Sequence, residues 1–350
     1  MLTQDEITHE GWRVSVYQSI ADIAQREWDL CAGSDEALLS HLHLQALEAS
    51  GIVAPSNGYS PCHVVLRDSN LRMVAAAPTY RKMHSKGELG IDLGLSLAHA
   101  RSVGPYYPKL QVEIPMMSFQ GRRLLTHPDV DREQAISALL AALKNLAIES
   151  DASSLQLGYI TPEEAVFASA AGFIVSSSNT YVWRIANETS FEGFLDSMIS
   201  RRRSEILAER HSVAQKNLRF HLYRGDKIST DLAAPFFQLY QENFQRHRTA
   251  SKSYAQYWGP SESVPFLHFE QAIYRTIERA YAKGLLALDF GPIGTHKAKR
   301  GLRAEAVQHA VWFTNESFDE VAVHAFAQKS RAAETERLIG LERLPFVKCP

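Results

Sequence analysis

The sequence predicts an α/β protein with two mixed sheets, each covered by helices on both faces. Short segments with alternating or continuous apolar residues indicate strands, and Ser154–Ile160 is a clear example. Segments with helical spacing separate them, the clearest being Arg132–Ile148. The chain has 350 residues, of which 45% are hydrophobic, so it is large enough for two domains with buried cores.

The composition narrows the class of protein. A net charge of -2 gives no overall basicity, so a polyanionic partner must be met by a local patch. Cys31, Cys62 and Cys349 lie far apart, which argues against a disulfide framework and a zinc site and favours a reducing compartment. The polar, acidic start and the lack of an apolar run of about 18 residues lead us to expect a cytoplasmic protein without membrane insertion.

Residues 1–186 are expected to form the first domain, with the order β-α-α-β-β-β-α-β-α-β. The predicted elements are strand Trp12–Gln18, helices Ile20–Leu30 and Leu38–Ser50, a hairpin about Asp68-Ser69-Asn70, a strand entered through Pro108, helix Arg132–Ile148, strand Ser154–Ile160, helix Pro162–Ala171, and closing strands Gly172–Val175 and Thr180–Ile185. This is the element order of the GCN5-related acetyltransferase (GNAT) fold, a mixed sheet with helices on both faces.

Residues 187–350 are expected to form a second, smaller domain of the same kind. The predicted elements are helix Phe191–Ala214, strand Leu218–Arg224, helix Leu232–Arg246, strand Tyr254–Trp258, a helix, and strands Leu285–Phe290 and Val307–Thr314 before a last helix Phe318–Leu338. In the unnamed helix, Phe269, Ile273, Ile277 and Tyr281 recur every four residues, which predicts one buried face. The two strands about this helix are expected to be parallel.

A basic loop follows the strand Leu285–Phe290. In GPIGTHKAKRGLR, two glycines precede His296, Lys297, Lys299, Arg300 and Arg303. Because ligands bind beyond the carboxyl ends of parallel strands, the loop is predicted to form an anion-binding wall. The alternative is a solvated basic loop.

Long stretches of the chain resemble the FemAB-like family of peptidoglycan biosynthesis or recognition, a branch of the GNAT superfamily. They include LQALEASGIVAPSNGYSPCHVVLRD, YYPKLQVEIPMMSFQGRRLL, FLDSMISRRRSEILAER and YAQYWGPSESVPFLHFEQAIYRTIERAYAKGL. The resemblance implies two tandem GNAT-like domains and kinship with the Fem aminoacyltransferases, which move an amino acid from aminoacyl-tRNA to an amine. The chain lacks residues that the family carries before Tyr254, so the second domain is expected to be shortened.

The predicted catalytic residues are Glu270, as a general base for the incoming amine, His268, and Lys297, as an oxyanion partner. The alternative for Glu270 is an acidic residue that complements the helix dipole. The predicted substrate-binding residues are His296 and Arg300 in the basic loop, Tyr257 and Trp258 as aromatic walls, and His84, Tyr107 and Lys109 in stretches that match the family.

Arg201, Arg202, Arg203 and Arg210 are candidate contacts to a tRNA backbone, which requires only clustered cations. The alternative is an exposed helix whose arginines pair with Glu205 and Glu209.

The expected function is transfer of an acyl or aminoacyl group to an amine or hydroxyl of a cell-wall precursor or natural-product intermediate. The turns WGPSESVPF and SFQGRRLL each have one glycine, which gives no support for an acetyl-CoA pyrophosphate loop, so aminoacyl-tRNA is the expected donor. No cofactor and no metal are expected. The alternatives are an acyl-CoA-dependent N-acyltransferase and a non-catalytic ligand-binding protein.

Overall fold

The fold consists of two units, and the chain passes between them within two long strands and within the last helix. The computed structural model describes residues 11–34, 36–84, 91–223, 225–235, 238, 262–292 and 294–346. Unit 1 comprises Met1–Ser178 and Ala306–Glu334, and unit 2 comprises Asn179–Glu305 and Thr335–Pro350. The predicted domain boundaries, 1–186 and 187–350, stay a prediction. The predicted α/β class with a mixed sheet is confirmed.

Unit 1 contains a four-stranded antiparallel sheet. Its strands are β1 (Arg13–Tyr17), β3 (His63–Arg67), β4 (Met73–Ala77) and β7 (Leu125–Thr126), in that order. The hairpin β3–β4 is the one predicted about Asp68-Ser69-Asn70, where the Asp68 carboxylate accepts hydrogen bonds from the backbone N–H groups of Asn70 and Arg72.

The mixed sheet of unit 1 contains the parallel pair. Its strands are β2 (Tyr59–Pro61), β5 (Thr79–Lys82), β6 (Lys109–Val112), β8 (Ser154–Ile160), the second part of β11 (Arg303–Phe313) and the first part of β9 (Ile174–Arg184). Only β6 and β8 are parallel among the pairings described for these strands. Pro78 separates β4 from β5, so the single apolar run of the sequence supplies one strand to each sheet.

Among the described residues of unit 1, five α-helices precede β9. They are α1 (Gln25–Ala32), α2 (His41–Ala49), α3 (Ile91–Ser102), α4 (Arg132–Glu149) and α5 (Pro162–Ala170). The side chains of α4 pack into the largest core cluster with Leu110 and Leu155 of the parallel strands. Helix α3 was not predicted, because its stretch is preceded by polar, glycine-rich sequence; it is held by Leu95, which packs on Phe313 and Phe318.

Strand β9 (Ile174–Arg184) is continuous, whereas the sequence predicted two strands. Polar residues in its middle suggested a break. Ser177 and Ser178 are instead bound by side chains of unit 1, the first through Ser330 and the second through His309.

Unit 2 contains α6 (Phe191–Asp196), α7 (Ser200–Ala214), a helical run Leu267–Lys283 and β10 (Ala287–Asp289), which pairs antiparallel with the end of β9. The predicted helix Phe191–Ala214 is therefore two helices. Met198, between them, forms an isolated β-bridge with Phe346, which interrupts the helical ladder. The last helix, α9 (Asp319–Glu342), begins in unit 1.

The core of unit 2 confirms the predicted helix face. Ile273 and Ile277 are buried, and they pack with Trp183, Phe194 and other apolar residues. The predicted strand Leu218–Arg224 is wrong for its described residues, 218–223, which pair with no strand in the described chain and whose side chains are mostly exposed. The predicted strand Tyr254–Trp258 lies outside the described residues. No helix within the described residues is long and apolar enough to span a membrane.

Candidate functional site

The basic loop of the sequence forms a short 3₁₀ segment, Thr295–Arg300, in unit 2. It follows β10 and ends at Gly301, which has the left-handed conformation that favours glycine. Gly294 starts the segment with φ +115°, and the His296 ring lies 2.5 Å from the position that a Cβ on Gly294 would take. A side chain at residue 294 would therefore displace the His296 ring.

Lys297 is buried by this turn. Its Nζ donates hydrogen bonds to the carbonyl oxygens of Phe290 (2.5 Å) and Gly291 (3.4 Å). Burial lowers the pKa of Lys297 to about 8, and the carboxylate of Asp289 opposes this shift. An ammonium has three N–H groups, so two directed at carbonyls leave one for a ligand.

Arg300 holds the segment to two distant parts of unit 2. Its Nη2 donates to Glu209 Oε1 at 2.6 Å, and its Nε donates to the hydroxyl of Tyr274 at 2.8 Å. Its guanidinium also lies 3.5 Å above the ring of Phe269. These contacts engage most N–H groups of the guanidinium. Arg300 therefore contributes its positive charge to the site but few free hydrogen-bond donors.

The two histidines beside these cations are driven toward their neutral forms. Burial and the charges of Arg300 and Lys297 lower the pKa of His296 to about 4. The pKa of His268 is also lowered, first by burial and then by the same two cations. The His296 ring lies 5.3 Å from that of Phe269, and its Nε2 is buried without a hydrogen-bond partner among the described residues.

Glu270 lies in a π-helical turn, Glu270–Tyr274, between the helical turn Leu267–Phe269 and helix α8 (Arg275–Lys283). Such wide turns are frequent at functional sites. Here the carboxylate is buried and accepts from Arg210 Nε at 3.0 Å and from Arg275 Nε at 3.0 Å. It therefore lies between two guanidinium groups, which occupy the oxygens that a general base would offer to a substrate.

The four candidate tRNA-binding arginines divide between two environments. Arg201 and Arg202 pair with Glu205, and Arg203 pairs with Asp196, all on or near the surface. Arg210 is more buried and pairs with Glu270 and Glu278. Three of the four therefore remain near solvent, and the fourth belongs to the ion network behind the basic segment.

The remaining candidates lie elsewhere. Tyr257 and Trp258 are outside the described residues. His84, Tyr107 and Lys109 belong to unit 1, where Lys109 is buried and its Nζ donates to Gln156 Oε1 at 2.9 Å. Lys299 is exposed, as expected for the solvent side of the loop.

Sequence reasoning missed Glu209 and Tyr274, which connect Arg300 to the helices. The Tyr274 hydroxyl donates to Glu209, and burial, followed by this contact, raises the pKa of Tyr274. The sequence suggested Glu209 as a partner for the arginines of its own helix, and nothing local indicated that it would meet a residue 91 positions away. Within the described residues there is no group of three or more side chains suited to hold a metal ion.

Comparisons with known proteins were made on the sequence and on the fold. The profile of the FemAB-like family, described as peptidoglycan biosynthesis/recognition, matches residues 19–254 and 248–348. No curated protein sequence matches significantly. Among solved structures, one similar chain is AtaT complexed with acetyl-methionyl-tRNAfMet, at 10% identity and a TM-score of 0.29, covering 47% of this chain and 86% of that one.

A second similar structure is a GCN5-related glucosamine N-acetyltransferase region in a fungal multi-domain GH3 β-N-acetylglucosaminidase. It is 11% identical with a TM-score of 0.35, and the match covers 86% of this chain and 38% of that chain.

Proposed function

The chain belongs to the FemAB-like family, and from this premise we propose that it transfers an acyl or aminoacyl group to an amine or hydroxyl of a cell-wall precursor. Family membership indicates a transferase. The observation that carries the assignment of the site is the buried Lys297, whose charge lies in unit 2 beside two neutralised histidines.

The proposed chemistry is direct attack on a carbonyl. The acceptor nitrogen forms a bond to the carbonyl carbon, and the π electrons of the carbonyl move to its oxygen. The ammonium of Lys297 stabilises the resulting oxyanion in a partly dry environment, where such an interaction is strong. The proton lost by the nitrogen passes to neutral His268. Collapse of the intermediate breaks the bond between the carbonyl carbon and the ester oxygen of the donor, and His268 gives the proton to that leaving oxygen.

We infer a positioning role for Glu270. Its carboxylate is engaged by Arg210 and Arg275, and Arg210 also contacts the face of Phe191 at 4.8 Å. This arrangement fixes α7 against the π-helical turn. The same two elements supply Glu209 and Tyr274, which orient Arg300. Glu270 is thus a positioning residue, which acts on the site through the orientation of Arg300.

Aminoacyl-tRNA is the proposed donor. The sequence offers no glycine-rich pyrophosphate loop, and Arg201 and Arg203 provide exposed cations on α7 that suit a phosphate backbone. An acyl-CoA donor is the competing possibility. It requires backbone N–H groups at a helix N-terminus rather than clustered arginines.

The test is transfer of radiolabelled amino acid from total charged tRNA into an acid-soluble product, with Lys297→Ala and Lys299→Ala compared. Loss of the oxyanion partner should cost about 2–4 kcal/mol of transition-state stabilisation, or roughly 30- to 900-fold in kcat. Lys299→Ala should lose little, because its side chain is exposed. Equal, small losses in two folded variants would refute the role of Lys297, and activity from acetyl-CoA in place of charged tRNA would refute the donor.

A further inference from the structure

The basic segment has an unusual charge balance that the proposed reaction does not require. Lys297 is opposed by Asp289 and Arg300 is paired with Glu209, so the two fixed cations already have anionic neighbours. Both histidines stand beside these cations and are held neutral. The site is therefore close to neutral at rest, and His296 can still take up a proton.

The geometry marks His296 as the side chain that gains most from an added anion. Its ring lies beside the Gly294 backbone and 5.3 Å from the tilted ring of Phe269. Its Nε2 is buried and has no partner in the described chain. A buried polar atom without a partner costs free energy, which an anion accepting a hydrogen bond from a protonated ring would recover.

We propose that His296, with Lys297 and Arg300, forms the binding site for a phosphate-type oxyanion of the substrate, and that binding is coupled to uptake of one proton by His296. The assignment of this anion to a substrate rests on the proposed function. Lys297 and Arg300 contribute positive charge, and His296 contributes a hydrogen bond from Nε2 that protonation of the ring strengthens.

Among the described residues, the charged or titratable groups that act on His296 are Arg300 and Lys297 from the same segment and His268 from the preceding helical turn. Asp289 of β10 acts on Lys297, and Glu209 of α7 and the Tyr274 hydroxyl contact Arg300. While no anion is bound, Arg300, Lys297 and, when it is protonated, His268 oppose the protonation of His296. A bound dianion reverses the sign of the local field and favours protonation.

The first measurement is sulfate affinity by calorimetry at constant ionic strength between about pH 5 and pH 7, where Lys297, with a pKa of about 8, stays mostly charged. Sulfate represents the oxyanion because its own charge does not change in this range. Coupling to one proton requires affinity to rise as pH falls, by up to about tenfold per pH unit. Calorimetry in two buffers of different ionisation enthalpy counts the protons directly, and an uptake near zero would overturn the proposal.

His296→Gln keeps a polar side chain that does not titrate, and it should abolish both the pH dependence and the proton uptake. His211→Gln is the matched control, since His211 is exposed on α7 in the same unit and should leave both unchanged. Because a variant can lose its fold, NMR titration of the histidines is measured in the unaltered protein as well. Sulfate should raise the pKa of His296, and an unchanged titration would refute the coupling.

Two further ligands identify the source of the phosphate. Dimethyl phosphate represents a nucleic acid backbone, and inorganic pyrophosphate represents a nucleotide-linked acceptor. Tighter binding of the diester assigns the site to a tRNA donor, tighter binding of pyrophosphate assigns it to the acceptor, and failure of both to compete with sulfate overturns the phosphate assignment. Because none of these measurements uses transfer, they can succeed or fail independently of the proposed reaction.

Discussion

Replacement of Glu270 by glutamine tests whether this carboxylate is structural or catalytic. The change removes the negative charge between Arg210 and Arg275 but keeps the size of the side chain. The new amide N–H₂ group also faces guanidinium donors with which it cannot form hydrogen bonds. The substitution should therefore destabilise unit 2 while leaving the reacting groups in place.

The expected loss of stability in Glu270→Gln depends on how deeply Glu270 and its two arginine partners are buried. Removing one partner of a buried ion pair costs about 3–5 kcal/mol because the other charge is left uncompensated. The side chain of Glu270 is 5% exposed, whereas that of Arg275 is 45% exposed and can reach water. Arg210 also keeps its contact with Glu278 at 2.7 Å. We therefore expect a smaller loss, about 2–3 kcal/mol.

The loss is measured locally, since a chain of two units need not unfold in one step. Hydrogen–deuterium exchange of the α7 and α8 amides reports the opening free energy of this part of unit 2. Glu205→Gln is the control. It removes a carboxylate that pairs with Arg201, whose side chain is 80% exposed, and should cost only about 0–1 kcal/mol.

The transfer assay separates the two roles. A structural Glu270 predicts faster exchange in Glu270→Gln and near-normal kcat per folded molecule. If exchange is unchanged and kcat falls by more than about a hundredfold, the carboxylate takes part in proton transfer and the positioning argument is refuted.

Three further predictions concern other features of the structure. Gly294→Ala should strain the backbone at positive φ and push aside the His296 ring, lowering sulfate affinity; unchanged affinity would contradict the assigned contact. Burial lowers the pKa of His309 to about 3, so the folded state binds fewer protons than the unfolded one below about pH 6.5. The stability of unit 1 is therefore unaffected by His309 above that pH and falls by about 2 kcal/mol on acidification to about pH 5. His309→Gln should show a shallower pH dependence of the local opening free energy of β11, measured by hydrogen exchange. Alanine at residues 201–203 together should flatten the salt dependence of tRNA binding, because each lost phosphate contact releases fewer counterions; an unaltered slope would remove these arginines from the interface.

Local pattern was sufficient for many of the elements. The spacing of apolar residues predicted α4 and β8 nearly to their ends, and the buried face of Ile273 and Ile277. It succeeded there because helix and strand periodicities depend on residues a few positions apart. The hairpin β3–β4 was predicted for a similar reason, since Asp68 stabilises its own turn.

Contacts between residues far apart in the sequence determine two elements that the local apolar pattern did not predict correctly. The stretch before α3 is polar and glycine-rich, and α3 is held by Leu95 packing on residues more than two hundred positions later. Strand β9 stays continuous across serines because Ser330 and His309 satisfy their polar groups. The residues that stabilise α3 and β9 lie far away in the sequence, so the local pattern did not predict α3 and predicted a break in β9.

The candidate site shows the same division. The sequence by itself determined that Lys297, His296 and Arg300 lie together in a basic turn after a strand, because they are neighbours in the chain. Only the tertiary structure decided which charges remain available. It pairs Arg300 with Glu209, encloses Glu270 between two arginines, and buries Lys297 so that its pKa falls to about 8. Charge and desolvation depend on every group that folding brings within a few ångströms, and most of these groups are far away in the sequence.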